Sequence, residues 1–271
     1  MTTHDVTNDP PVELNYATYL HLDELLDLQE PRSSPEEHDE LLFITIHQAS
    51  ELWFKVLLHE LDKIKADFSG NHVFRVISSF RRCVAILRVL IEQFTVLETM
   101  TPLSFLRFRD RLDSSSGFQS MQFRELEHTL GRKEAGIYDH YPTDLPGRDA
   151  AERRFHERTL QDHFREFLAL RGVPVPAETL DETPTASHQP DADVQHGIAE
   201  LYRSEGQYVI LFELMIDFDE TLQEWRYRHF KIVERTIGDK KGTGGSLGVG
   251  FLKPTIFEQA FPDLWAIRRQ F

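Results

Sequence analysis

The amino-acid sequence predicts an all-α protein, a bundle of long helices forming one domain over 1–271. Apolar residues recur at steps of three and four through most of the chain, and Ser-Pro and Thr-Pro pairs mark helix starts. No series of alternating strands and no internal repeat breaks that pattern. A hydrophobic content of 40% is enough to bury a sizeable core.

In chain order, Ser34-Pro35-Glu36-Glu37 reads as the first strong helix start. Ser34 is placed to cap, Pro35 to occupy the first turn and Glu37 to complete a capping box. The helix is expected to continue to about Phe68. Its run Leu41-Leu42-Phe43-Ile44-Thr45-Ile46 is apolar on all sides and is expected to be buried all round. A second helix is expected from near Asn71 to Glu98, with Val73, Ile77, Phe80, Val84, Leu87 and Ile91 facing inward. Thr101-Pro102 opens a third, interrupted at Ser114-Ser115-Ser116-Gly117, and Phe118 to Leu130 forms a fourth, stopped by Gly131. Residues 149–171 are polar and amphipathic. Residues 172–193, rich in Pro, Thr and Asp, read as a mobile loop. One long helix is expected from about Val194 to Ile237, then a glycine-rich stretch from Gly238 to Gly250 and a short amphipathic end at Phe261-Pro-Asp-Leu-Trp265.

Composition narrows the function. A formal net charge of −15, with no basic patch interleaved with aromatics, argues against nucleic acid and against anionic lipid. The lone Cys83 excludes an internal disulfide and a cysteine-built zinc site, and it fits a reducing, cytoplasmic setting. Residues 1–11 are polar and acidic and are not expected to act as a signal peptide, and no run of 18 apolar residues suggests a membrane span.

Four constellations could carry chemistry. Phe43 and His47, four apart, share a helix face in the most apolar run. The plainer reading is a core histidine bonded to a backbone carbonyl. Phe105, Arg109, Leu112 and Ser116 form one stripe if their helix is continuous. An arginine there wants a carboxylate, from the protein or from a ligand, unless it is simply solvated beside Asp110 and Arg111. Trp225 and His229 share a face late in the last long helix. A helical histidine of this kind can hold a haem iron, and is also how ordinary surface histidines look. The glycine stretch is neither a P-loop nor a dinucleotide fingerprint. It lets backbone approach a ligand, or is a surface loop. No zinc-protease or serine-hydrolase motif occurs.

Together these stretches resemble one family. His38-Asp-Glu-Leu-Leu-Phe-Ile-Thr-Ile-His47-Gln-Ala-Ser-Glu-Leu-Trp-Phe-Lys55, Ser115-Ser-Gly-Phe-Gln-Ser120, Trp225-Arg-Tyr-Arg-His229 and Ile237-Gly-Asp-Lys-Lys-Gly-Thr-Gly-Gly-Ser246 are similar, in order, to the signatures of the tryptophan 2,3-dioxygenases. The resemblance implies an all-α homotetramer, a dimer of dimers, with haem b in each subunit. It implies cleavage of the indole C2–C3 bond of L-tryptophan by dioxygen on ferrous haem, giving N-formyl-L-kynurenine. His229 then matches the proximal iron ligand, and Ser116 and Gly117 match cofactor contacts. His47 matches the distal histidine that accepts the indole N–H. Phe43, Ile44, Thr45, Ile46, Phe105, Leu112 and Ser116 match the substrate pocket, Arg109 the partner of the substrate carboxylate, and Thr243 the contact to its amino-acid end. Tyr16 and Tyr19, on an arm of residues 1–20, match aromatics lent by a neighbouring subunit. Where some family members carry a tyrosine, this chain has Phe105 and lacks that hydroxyl contact. The segment Gly248-Val-Gly-Phe-Leu252 is also less aromatic than the family pattern. Two other readings stay open: a related haem protein that inserts one oxygen atom into an indole, and a haem carrier or sensor without turnover.

Overall fold

The computed structural model describes residues 14–176, 189–204, 206–238, 240 and 249–271, and among them there is no strand. Three long helices form the frame: α3 (His38–Ser69), α4 (Val73–Leu97) and α10 (Gly206–Ile237). Before them lie the short α1 (Tyr16–Leu20) and α2 (Leu22–Leu26). Between α4 and α10 run α5 (Pro102–Arg109), α6 (Met121–Thr129), α7 (Arg148–His156), α8 (Leu160–Ala169) and α9 (Ala192–Ser204). After α10 come α11 (Val249–Leu252) and α12 (Pro262–Ala266).

The core is the seam where α4 lies between α3 and α10. All six α4 residues expected to face inward are buried. Phe80 is completely buried, with its ring 5.5 Å from that of Phe218 on α10 and 6.1 Å from that of Phe261. Phe68 near the end of α3 meets Phe167 of α8 at 5.1 Å. The C-terminal segment is locked onto α10 by the buried carboxylate of Asp219. It accepts the N–H groups of Ala260 and Phe261, each at 3.0 Å, and the indole N–H of Trp265 at 2.9 Å.

Several sequence expectations are corrected. The first long helix begins at His38, and Ser34 does not cap it. Ser33 accepts the Glu37 N–H instead, while the buried Glu40 carboxylate takes the N–H groups of Arg32 and Ser33. Burial alone would raise the Glu40 pKa, but the Ser33 hydroxyl and these two amides outweigh it and hold it low. The apolar run 41–46 is not buried all round: Leu41 and Thr45 are exposed, and Leu42, Phe43, Ile44 and Ile46 are half-buried. By length and composition α3 is apolar enough to cross a membrane, but that stretch carries Glu51 and Lys55, and Glu51 is bonded by Gln122 of α6.

The helix expected from Val194 to Ile237 is two helices. In a straight helix, residues ten apart are separated by about 15 Å. Here the rings of Tyr202 and Phe212 lie 6.4 Å apart and the Tyr202 hydroxyl reaches Glu213 at 2.6 Å, so the chain reverses between α9 and α10. The helix through Phe105 stops at Arg109, so the four-residue stripe is not one continuous helix face. Turns follow, with Asp113 in the left-handed region at φ 47. The next helix starts at Met121, after Phe118, capped by Ser120. Gly131 beyond it has φ +96, as a glycine stop requires.

Candidate active site

His47 sits in the exposed first half of α3, where the helix presents Phe43 and His47 on one face. Their ring centroids lie 4.2 Å apart, and His47 Nδ1 lies 2.7 Å from the Phe43 carbonyl oxygen. A carbonyl can only accept, so Nδ1 carries the hydrogen and Nε2 is left as an acceptor. The residue is exposed in the single chain, yet protein crowds the ring closely enough to desolvate it. Desolvation pulls its pKa down, against the Phe43 bond and the charge of Glu51. Phe105 and Phe108 of α5 complete an aromatic wall, with rings 5.6 and 5.5 Å from Phe43 and 5.3 Å from each other.

His229 comes from the last third of α10, half-buried, and lies close enough to His47 for the two to interact electrostatically. Its pKa is pushed down to about 4, first by burial and then by its proximity to His47. Its imidazole is therefore neutral at ordinary pH and no described residue hydrogen-bonds it, so a ring-nitrogen lone pair is free to bind iron. Trp225, one turn earlier, packs on it at 5.2 Å and is itself enclosed by Phe123 at 4.9 Å and Phe54 at 5.8 Å. Two neutral histidines, one from α3 and one from α10, thus line one recess with an aromatic wall.

The other expected residues fall as follows. Ile46 and Leu112 pack against the core, Ile44 is half-buried, and Thr45 turns back to bond the Leu41 carbonyl at 2.8 Å. Arg109 is half-buried at the end of α5, next to Phe108. Ser116 caps a 3-10 turn at Gly117–Gln119, and its hydrogen bonds are local. A side chain added at Gly117 would meet only open space. Tyr16 and Tyr19 are 76% and 68% exposed on α1, which buries none of its residues against its own chain. Thr243 lies outside the described residues, as does most of the glycine stretch. Sequence reasoning did not name Phe108, three residues after Phe105, which is completely buried and backs the Phe43 and Phe105 rings. It also did not name Phe94 of α4, whose ring lies 6.0 Å from that of His229.

A separate cleft of about 460 Å³ opens between Arg132, Lys133, Arg226 and Glu258. Its cations are already engaged: Arg132 pairs with Glu127 and Glu258, Lys133 donates to the Glu157 carbonyl, and Arg226 to the carbonyls of Thr255 and Glu258. It is built as a charged brace under α10, with Glu127 buried between Arg124 and Arg132.

The family model described as tryptophan 2,3-dioxygenase matches residues 3–163 and 197–271. A tryptophan 2,3-dioxygenase of Herpetosiphon aurantiacus is 49% identical over 94% of this chain and 97% of its own length. One of Kineococcus radiotolerans is 42% identical over 98% and 94%, and one of Serratia proteamaculans 38% over 98% and 96%. The residues that frame the recess fall within the matched stretches, and by this breadth of similarity the chain belongs to the tryptophan 2,3-dioxygenase family.

Proposed function

We propose that this chain cleaves the indole C2–C3 bond of L-tryptophan with dioxygen, giving N-formyl-L-kynurenine, the first step of tryptophan catabolism, and that it does so with haem b held by His229. The observation that carries the reading is the pair of neutral histidines on one recess beside the Phe43–Phe105–Phe108 wall. The donor set suits the group. His229 offers a neutral nitrogen, and the surrounding rings give a planar, apolar macrocycle a dry surface. When bound, haem supplies the iron chemistry that activates dioxygen.

The chain's own residues do the rest. His47 Nε2 accepts the indole N–H and so orients the ring. Phe43 and Phe105 flank it, with Ile44, Thr45, Ile46 and Leu112 around them, and the apolar wall limits water and proton donors. Arg109 takes the substrate carboxylate and Thr243 its amino-acid end, while Ser116 and Gly117 border the cofactor. The exposed apolar arm supports a pocket completed between subunits: Leu14, Tyr16, Tyr19 and Leu26 are each at least two-thirds exposed. We take the assembly to be a homotetramer, a dimer of dimers, of one helical domain per chain, working in the cytoplasm.

The test is aerobic turnover by the purified haem-loaded protein with isotopically labelled dioxygen. Two labelled oxygens in formylkynurenine are expected. One labelled oxygen in an uncleaved indole overturns the reading in favour of single-atom insertion, and no turnover by a fully haem-loaded protein favours a carrier.

A further inference from the structure

We infer that Phe94 is a positioning residue for His229: its ring, together with that of Trp225, forms a platform that sets the plane of the imidazole. The inference rests on the reading of His229 as the haem ligand. The centroids of the three rings form a nearly equilateral triangle, 6.0 Å from Phe94 to His229, 5.2 Å from Trp225 to His229 and 5.9 Å from Phe94 to Trp225. Both aromatic planes lie close to that of the imidazole, at 22° for Phe94 and 17° for Trp225.

The platform is braced from both sides. Trp225 is backed by Phe123 and met edge-on by Phe54, so it cannot tilt away. Phe94 comes from α4, and the two helices are tied together at this level. Arg228, next to His229, pairs with Glu98 at 3.1 Å, and Glu98 caps the end of α4, one turn beyond Phe94. An iron-binding histidine is ordinarily oriented by a hydrogen bond from its second ring nitrogen to a carboxylate or carbonyl. No described residue makes that bond to His229. Rotation of the ring about its Cβ–Cγ bond is therefore restrained by the aromatic contacts, and that rotation decides where the ligating lone pair points. Phe94 thus acts on the cofactor through His229, without touching substrate.

The experiment uses haem-loaded protein carrying Phe94→Leu, which keeps apolar bulk but removes the flat ring, and Phe94→Tyr, which keeps the ring. Two quantities are read: the iron–histidine stretching vibration of the ferrous protein, and the rate of haem transfer to excess apomyoglobin. Phe94→Leu is expected to shift and broaden the vibration and to speed haem loss by up to about tenfold, the scale of one lost aromatic pair. Phe94→Tyr is expected to restore both, and the KM for tryptophan should be unchanged in either. Trp225→Phe, which shortens the platform, is measured in parallel in case Leu at 94 impairs folding, and it should move the same vibration. A wild-type vibration and haem-loss rate in the folded variants overturns the positioning role. Absence of an iron–histidine vibration from the wild type would overturn the assignment of His229 itself, which separates the two failures.

Discussion

The Nδ1 atom of His47 lies 2.7 Å from the carbonyl oxygen of Phe43, one turn back on the same helix. That bond fixes the tautomer, and with the lowered pKa it makes Nε2 a neutral acceptor facing the recess. His47→Ala is expected to lower kcat/KM for L-tryptophan by about 1–3 kcal/mol, roughly fivefold to 150-fold, through loss of one well-placed hydrogen bond. An N-methylated indole substrate cannot donate that bond, so the same variant should handle it about as the wild type does. An equal loss on both substrates would show that His47 acts in some other way.

Acid should weaken the fold through His128, which is almost fully buried. Its Nδ1 donates to the Arg132 carbonyl at 3.0 Å, so its Nε2 accepts from the Tyr138 hydroxyl at 2.8 Å, and protonation would force that hydroxyl to turn and accept. Burial is the main reason its pKa falls from 6.5 to about 4. With the folded value depressed, the unfolded chain binds more protons between these limits. The stability is complete above pH 6.5, is lost as pH falls toward about 4, and amounts to on the order of 3 kcal/mol. Urea unfolding at a series of pH values should show this slope, and His128→Gln should flatten it. An unchanged slope in the variant would remove His128 from the account.

How far the sequence reached depends on what covers each helix. The six α4 residues read as facing inward are all buried, because both neighbours of α4 lie within this chain. The helix also buries Val76, Cys83, Ile86, Leu90, Phe94 and Leu97, which that single stripe left out. The run 41–46 was misread because its apolar sides face a recess and the outside of the single chain, and hydrophobicity does not say what will cover it. The end of α5 at Arg109 was hidden: Arg109-Asp110-Arg111 holds no breaker, and the left-handed residue is an aspartate, Asp113. The reversal after Ser204 was equally silent, since a lone Gly206 is tolerated within a helix. Of the site, Phe43 and His47 were legible as a one-turn pair, as were Trp225 and His229. That these two pairs line the same recess depends on how α3 and α10 pack, which spacing along one chain does not encode.

Asp219 is expected to be among the costliest positions to change. Its carboxylate is fully buried and accepts from Ala260, Phe261 and Trp265, holding the C-terminal segment against α10 some ten residues before His229. Asp219→Ala leaves those donors without a partner and should cost roughly 3 kcal/mol or more. Asp219→Asn keeps one acceptor oxygen and should cost less. Both are read by denaturant midpoint, and a fall of under about 1 kcal/mol for the alanine variant would mean that the segment finds other partners.

The arm should matter to substrate and not to cofactor. Tyr16 and Tyr19 are largely exposed in the single chain, yet Gln48 holds the root of the arm by donating to the Leu28 carbonyl at 2.9 Å, and it also meets Gln29 at 2.6 Å. Deleting residues 1–20 is expected to raise the KM for tryptophan strongly while haem occupancy stays full. Unchanged kinetics would count against a pocket shared between subunits.

Arg109 is expected to set the preference for an amino acid over bare indoles. It stands half-buried at the end of α5, adjacent to Phe108 and one turn after Phe105, at the edge of the aromatic wall beside His47. A guanidinium there can present two parallel donors to a carboxylate, which a lysine ammonium cannot, so Arg109→Lys should rescue only in part. Arg109→Ala should cost about 2–5 kcal/mol in kcat/KM for L-tryptophan, because the substrate's charge is then left unpaired in an apolar site. The informative comparison is tryptamine, which lacks the carboxylate. The wild type should discriminate strongly between the two and the alanine variant weakly, with the loss falling almost wholly on tryptophan. If both proteins discriminate equally, Arg109 serves the fold through its contacts within the chain, and the carboxylate is held elsewhere.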